Sequence, residues 1–567
     1  MALPCARHLR LALLGFALAG VAMAAQAGPR FEVSIPATVH AGPFTGRILV
    51  VAAKTDTLDP RLQILSLGGG PPMFGTDAKQ LAPGVSATIN SHSDGYPVAS
   101  LAQLAPGVCY VESFAVAYRE FDRADGHTVW LHSDWMGNFP GVAPGTLYST
   151  VTKMHLDPAQ DYDIRLRLDH VLTLKAIRNS PLLSSLAPPQ PTPWINVVKL
   201  QSAKLTRFWG QPMYLGATVL LPKGYAQHPH AYYPVVYNQG HFNQAIPWDF
   251  STIAPAHPRP YRGGTGTGYQ FYQAWNSDHF PRFILVTWQH PCPYFDDSYA
   301  VNSANCGPFG DALMQELVPY IESHFRIIPH SFARILEGGS TGGWESLALQ
   351  LQHPDFFGGA WVFCPDPVDF RAFQQTDLYH DANAFTYAAP SPWFRIEKPW
   401  ERTTTGLVRT TEREMSQNER VLASHGRSDF QLDGWWAIFD PMGADGYPVP
   451  MWDMQSGVIN RTAADYAREH GYDLSYYLRT HWTALAPLLH GKLHFFVGDM
   501  DNYYLNLAVY RVEDFLKATN YGGAFAYGRP MQGHGWHPVA WADLLREIAA
   551  KVRQNAPAGA DTAACNY

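Results

Sequence analysis

Between Phe31 and about Leu174, apolar residues come in short runs or alternate with polar ones, as in Ile48-Leu49-Val50-Val51, residues 109–116 and Thr128-Val129-Trp130-Leu131. Alternation at a period of two is the signature of a strand. Turn-rich stretches such as Gly68-Gly69-Gly70-Pro71-Pro72 separate the runs, and helical periodicity is scarce. The pattern predicts an antiparallel β-sandwich over residues 28–180. A cluster at Pro181, Pro188, Pro189, Pro191 and Pro193 follows. Fixed backbone angles and missing donors discourage regular structure there, so residues 181–195 read as a linker.

Beyond the linker, strand-like runs at 217–221, 233–237, 283–287, 334–337, 361–364, 493–497 and 524–527 alternate with helical stretches. That order requires a mostly parallel sheet flanked by helices. Several runs are apolar at every position, which suits strands covered on both faces. Leu313, Leu317, Ile321 and Phe325 share one helical face and predict a helix over 311–325, capped by Asp311; Leu544, Leu545, Ile548 and Val552 predict another over 541–552. The fold class expected for residues 196–555 is α/β, a doubly wound, mostly parallel sheet, with 556–567 as a tail. From about 370 to 490 the strand signal fades while Trp393, Trp400, Trp435, Trp436, Trp452 and Trp482 accumulate. So long a stretch exceeds a connection and predicts an inserted helical cap. Peripheral helices remote from any substrate are the alternative.

Composition narrows the partners. A formal charge of −7 over 567 residues, with no long basic run, argues against nucleic acid. Aromatics at 13%, including 17 tryptophans, supply a large core and material for a stacking or apolar cleft. Arg7 and Arg10 precede an apolar run at 11–25, and Ala25 and Ala27 give an AxA-like cleavage site. Residues 1–27 therefore read as a signal peptide cleaved after Ala27, or alternatively after Ala24, and the protein is expected in the periplasm or secreted. No later stretch is apolar for long enough to span a membrane. Beyond Cys5, Cys109, Cys292, Cys306, Cys364 and Cys565 remain. Export permits disulfides, and Cys292 with Cys306 would close a short loop. Cys364, ending the apolar run 361–364, reads as a buried structural thiol. No CxxC or HxxxH cluster suggests a metal site, so no metal is expected.

Gly338-Gly339-Ser340-Thr341-Gly342 follows Ile335-Leu336 and precedes a helical pattern from about Trp344. A serine on such a strand-to-helix turn stands exposed, and side chains two positions either side would strike backbone, which glycine avoids. Its hydroxyl needs a histidine to take the proton and a carboxylate to fix that histidine's tautomer. After the run at 493–497 comes Gly498-Asp499-Met500-Asp501-Asn502, and after 524–527 the chain reads on to Gln532-Gly533-His534-Gly535-Trp536-His537. Ser340, Asp501 and His534 thus fall in the expected order, each at or past the end of a predicted strand. Asp499 is the alternative acid and His537 the alternative base. Asp366 or Asp369 could also supply an acid from the preceding strand, and His494, inside a strand run, reads as a core residue. Two backbone N–H groups should face the oxyanion. These are expected from Thr341 and from His241, in the loop Asn238-Gln239-Gly240-His241-Phe242. Tyr299, Asn302 and Asn305 are candidate substrate contacts. Segment 263–268 is not a phosphate loop, since no lysine follows it.

Four stretches carry a family resemblance: Leu221-Pro222-Lys223-Gly224-Tyr225, the run 233–237 leading into Gln239-Gly240, Glu316-Leu317-Val318-Pro319-Tyr320-Ile321-Glu322, and Gly338-Gly339-Ser340-Thr341-Gly342-Gly343-Trp344. They resemble the putative esterase family, the α/β-hydrolase group that includes esterase D, feruloyl esterases and enterochelin esterases. The likeness spans 200–365 and 490–550. It implies an α/β-hydrolase fold with Ser340 as nucleophile, Asp501 as acid and His534 as base, and no cofactor. The chain departs from the family in reading Asn-Gln-Gly where Leu-His-Gly is commoner, and in the size of its insertion. The expectation is an exported serine esterase acting on a small or polymer-borne ester, with no protein partner implied. An acyltransferase or peptidase using the same triad, or a non-catalytic carbohydrate- or polymer-binding protein, is the alternative.

Overall fold

The computed structural model describes residues 29–64, 69–132, 139, 141–160, 162–241, 245–256, 266–388, 391 and 393–565. The leader expected at 1–27 lies outside them.

The apolar runs of the second half assemble into one eight-stranded sheet. Its strands are β1 (Ile195–Ser202), β2 (Met213–Leu220), β3 (Val235–Gln239), β4 (Ile284–Gln289), β5 (Arg334–Gly339), β6 (Gly359–Phe363), β7 (Leu493–Gly498) and β8 (Ala524–Gly528). Their spatial order is β1-β2-β4-β3-β5-β6-β7-β8, antiparallel from β1 to β4 and parallel thereafter. This is a mixed sheet of the α/β-hydrolase type. β4, β6 and β7 are buried at every position, as their unbroken apolar runs require. β1 begins where the sequence pattern suggested a linker. Asn196, Lys199 and Gln201 interrupt its apolar residues, because it is an edge strand paired on one side only.

The helix expected over 311–325 runs instead from Phe309 to His324, through a π-helical turn at Leu313–Leu317. Asp311 does not cap it; its own N–H donates to Asn302 Oδ1 at 2.9 Å. The final helix extends over Trp541–Asn555.

In the first part of the chain, Arg30–Ser34, Ser86–Ile89 and Asp163–Arg167 form a three-stranded sheet, and a larger sheet is built around Phe44–Ala53 and Gly107–Asp122. The pairing of Arg30–Ser34 with Asp163–Arg167 is parallel, which an all-antiparallel expectation misses. Phe31 and Val33 share a core with Ile48, Val50, Val111 and Ala115. The alternate residues of the same strands, Leu49, Val51, Phe114 and Val116, join the core of the second half. The larger sheet is therefore apolar on both faces, which explains the continuous run at 48–51.

Between β6 and β7 lie a short hairpin (Pro399–Arg402 with Val408–Thr411) and four helices: Glu412–Leu422, Gln431–Phe439, Arg461–Glu469 and Leu474–Leu489. Buried Arg47 ties this segment to the first sheets by donating to Val421 O and pairing with Asp77 and Asp94. No helix among the described residues is long and apolar enough to cross a membrane.

Candidate active site

Ser340 sits between β5 and the helix Thr341–Gln352 with φ 58° and ψ −122°, a conformation that costs a non-glycine residue about 1–3 kcal/mol. Surrounding backbone pays that cost: Ser340 N–H donates to Phe363 O at 3.0 Å, and Gly343 and Trp344 N–H both return to Ser340 O. The flanking glycines are required by space. A Cβ on Gly342 would lie 2.5 Å from Gln239 O, and one on Gly338 would collide with the Gly342 carbonyl.

Past β7, Asp501 is fully buried, and its Oδ1 accepts from the N–H groups of Tyr503 and Leu505. Its Oδ2 lies 2.9 Å from His534 Nδ1. The loop after β8 is held by His534 N–H donating to Asn502 Oδ1. Ser340 and His534 line one cavity of about 530 Å³ above the C-terminal ends of the strands, the place where α/β sheets carry chemistry. Gln239 at the end of β3 and Gly240 and His241 just after it line it too, as do Trp400, Phe430 and Trp435 from the segment between β6 and β7.

A family model described as "Putative esterase" matches residues 213–484. Those residues belong to the putative esterase family. The esterase domain is that of a carboxylic ester hydrolase. Among solved structures, the chain is similar to a ferulic acid esterase at 17% identity, covering 64% of this chain and 98% of that one with a TM-score of 0.33. It is also similar to the fluorophosphonate-binding serine hydrolase FphF of Staphylococcus aureus, at 14% identity over 63% and 98% of the two chains and a TM-score of 0.31. A third is an S-formylglutathione hydrolase from Agrobacterium tumefaciens, at 14% identity over 64% and 98% with a TM-score of 0.32. No curated protein matches the chain.

In the esterase domain, Ser340 Oγ donates to Asp366 Oδ1 at 3.2 Å, and no hydrogen bond joins it to His534. Asp366 Oδ2 accepts four further bonds, from Tyr299 OH at 2.6 Å, Thr341 Oγ1 at 3.0 Å, Gln431 Nε2 at 3.2 Å and Trp435 Nε1 at 3.2 Å. Asp366 thus contacts the serine, whereas the sequence offered it as a carboxylate for the histidine. Asp369 is turned away onto Arg371. No hydrogen bond or ion pair joins Asp499 to His534 either; the Asp499 carbonyl accepts from Asn506 Nδ2.

Cys364 is buried, as expected, yet it also lines the cavity, and its sulfur lies within 4.8 Å of ligand-capable atoms of both His534 and Asp501. Burial alone would pull the His534 imidazole down, but Cys364 and Asp501 outweigh it and hold the ring well above the usual histidine range. His537 stacks on Phe363 with ring centroids 3.8 Å apart, and burial pushes it down to about 3. It is a neutral wall residue. His494 stacks on Trp361 and is lowered to about 4 by burial. Glu337, also on the cavity lining, is raised by burial to about 7 while Trp248 Nε1 and Asn238 Nδ2 donate to it.

The Thr341 side chain is fully buried, and its N–H is among the first of its helix, which have no intrahelical partner. His241 lies nearby, with Nε2 3.4 Å from Thr341 Oγ1 and Nδ1 3.9 Å from Asp297 Oδ2. The three candidate substrate contacts do not meet at the cavity. Tyr299 is fully buried against Asp366, Asn305 is fully buried and donates to Asp440 O, and Asn302 is exposed and holds Asp311 N–H. Their loop packs inward against the segment that follows β6, away from the opening.

The expected Cys292–Cys306 bridge is not formed. Both thiols are free and buried with sulfurs 3.0 Å apart, against about 2.05 Å for a disulfide. A second ligand-capable group, His290 with Asp297 and Glu345, is entirely buried behind the elbow. Both groups are assembled from distant stretches, which residue spacing along the chain does not reveal.

Proposed function

We propose that the protein is an exported serine esterase working through an acyl-enzyme, with Ser340 as nucleophile, His534 as base and acid, and Asp501 orienting His534. The N–H groups of Thr341 and His241 receive the oxyanion, and the helices between β6 and β7 act as a cap over a small or polymer-borne ester. The residues before β1 form a β-sandwich domain that braces this cap. The observation that carries the reading is the 2.9 Å Asp501–His534 contact opening onto the cavity that also holds the elbow serine.

In the reaction, Ser340 Oγ turns from Asp366 toward His534, passes its proton to the imidazole and attacks the acyl carbon. His534 returns that proton to the departing alcohol, and water then repeats the sequence to free the acid. A fluorophosphonate probe tests this: covalent labelling at Ser340, abolished in Ser340→Ala, is expected, whereas no labelling of the folded protein would refute it.

A further inference from the structure

Asp366 presents an acceptor that the resting enzyme satisfies only with its own nucleophile. Four donors occupy Oδ2, and all are neutral groups: a phenol, a hydroxyl, an amide and an indole. Tyr299 stays a donor, since burial and then Asp366 hold its phenol well above the usual range. Oδ1 accepts a single hydrogen bond among the described residues, from Ser340 Oγ at 3.2 Å. No cationic side chain of the described residues pairs with Asp366, whose exposure is 3%. Once Ser340 swings to His534, Oδ1 is left in a buried site without a donor, which is costly unless one arrives with the substrate.

The position of that donor follows from bond lengths. Ser340 Oγ bonds the acyl carbon in the intermediate, and a substituent on the next carbon lies two bonds of about 1.5 Å further on. Oδ1 lies 3.2 Å from Oγ in the resting rotamer; the turn toward His534 carries Oγ about 2 Å from that position, a gap that the three bonds from Oγ to such a group still span to hydrogen-bonding distance. Charge selects between possible donors. Asp249 and Glu337 also line the cavity but are shifted by burial toward their neutral forms, which leaves Asp366 as the anion beside the nucleophile, and neither Lys nor Arg occurs among the described lining residues. An anion this close to the developing oxyanion opposes it, and a substrate cation between them would neutralise that opposition. Trp400 and Trp435 add aromatic surface that tolerates a cation.

We infer that the acyl group carries a protonated amine on its α-carbon, so that the preferred substrates are α-aminoacyl esters, and that Asp366 is the specificity-determining residue that binds the ammonium. The inference rests on the esterase reading above. Chemically nothing else changes: the Ser340 Oγ–acyl bond forms, the alkoxy bond breaks, the alcohol leaves with the serine's proton delivered by His534, and water releases the α-amino acid.

Methyl esters of alanine, lactate and propionate test this on the wild-type protein, with each kcat/KM divided by the ester's own alkaline hydrolysis rate. The alanyl ester should exceed the propionyl ester by about 10- to 100-fold, the worth of a hydrogen bond involving a charged group, with the lactoyl ester between them. Asp366→Asn should shrink the alanyl advantage by a similar factor. Propionyl turnover equal to alanyl, or lactoyl matching alanyl, overturns the inference while leaving the esterase reading intact. Turnover of none of the three, together with no fluorophosphonate labelling, would sink the esterase reading instead.

Discussion

Ser340 Oγ donates to Asp366 Oδ1 at 3.2 Å, while His534 Nδ1 is engaged 2.9 Å from Asp501 Oδ2. In the proposed mechanism the acid–base pair is already assembled, and the nucleophile is held on a different carboxylate. The proposed reaction would therefore begin with a rotation of one side chain, and the variants below separate the pair from the parked serine.

Asp501→Asn keeps the shape of the residue but removes the acceptor that fixes the imidazole tautomer. We expect kcat to fall by about 10⁴-fold with little change in KM. Steady-state kinetics, with circular dichroism to verify folding, measure it. Asp499→Asn, which alters a group that no hydrogen bond or ion pair joins to His534, should cost far less.

His534 must be neutral to accept a proton, and its pKa in the fold lies above the ordinary value of about 6.5. Activity should accordingly rise with pH through an apparent pKa above 6.5 and be lost on the acid side. Cys364 contributes to that elevation, so Cys364→Ala should move the limb of the kcat/KM profile toward lower pH. An unmoved limb would show that Asp501 alone sets it.

Gly342→Ala would place a methyl group 2.5 Å from the Gln239 carbonyl, on the strand that leads to the proposed oxyanion loop. Backbone must shift, and we expect a loss of about 2 kcal/mol or more in urea unfolding together with strongly reduced kcat.

Cys292 and Cys306 are neighbours before any oxidation. Expressed in an oxidising compartment, the protein should lose two of its five described thiols in a denatured thiol assay. The closed loop is short, for a gain of about 3 kcal/mol over the double Ala variant. Five reactive thiols after oxidation would exclude the bridge.

Much of this arrangement was legible along the chain because it rests on local constraints. The glycines around Ser340, the apolar runs of β4, β6 and β7, and aspartate and histidine placed just past strands each follow from backbone geometry or burial. What escaped depends on long-range placement. β1 hid behind polar residues because an edge strand need not be apolar on both sides. Asp366 was visible as a carboxylate past β6, yet its turn toward Ser340 is set by Tyr299, Gln431 and Trp435, separated from it by as many as 69 positions. The loop bearing Asn302 and Asn305 follows a central strand, as a substrate loop would, and is drawn inward by the segment packed on it.

The most direct test is turnover of a short-chain aryl ester by the wild-type protein and Ser340→Ala side by side. The account predicts steady hydrolysis with a serine-linked acyl adduct in the first and at least about 10³-fold less in the second. Equal turnover by both proteins would contradict it.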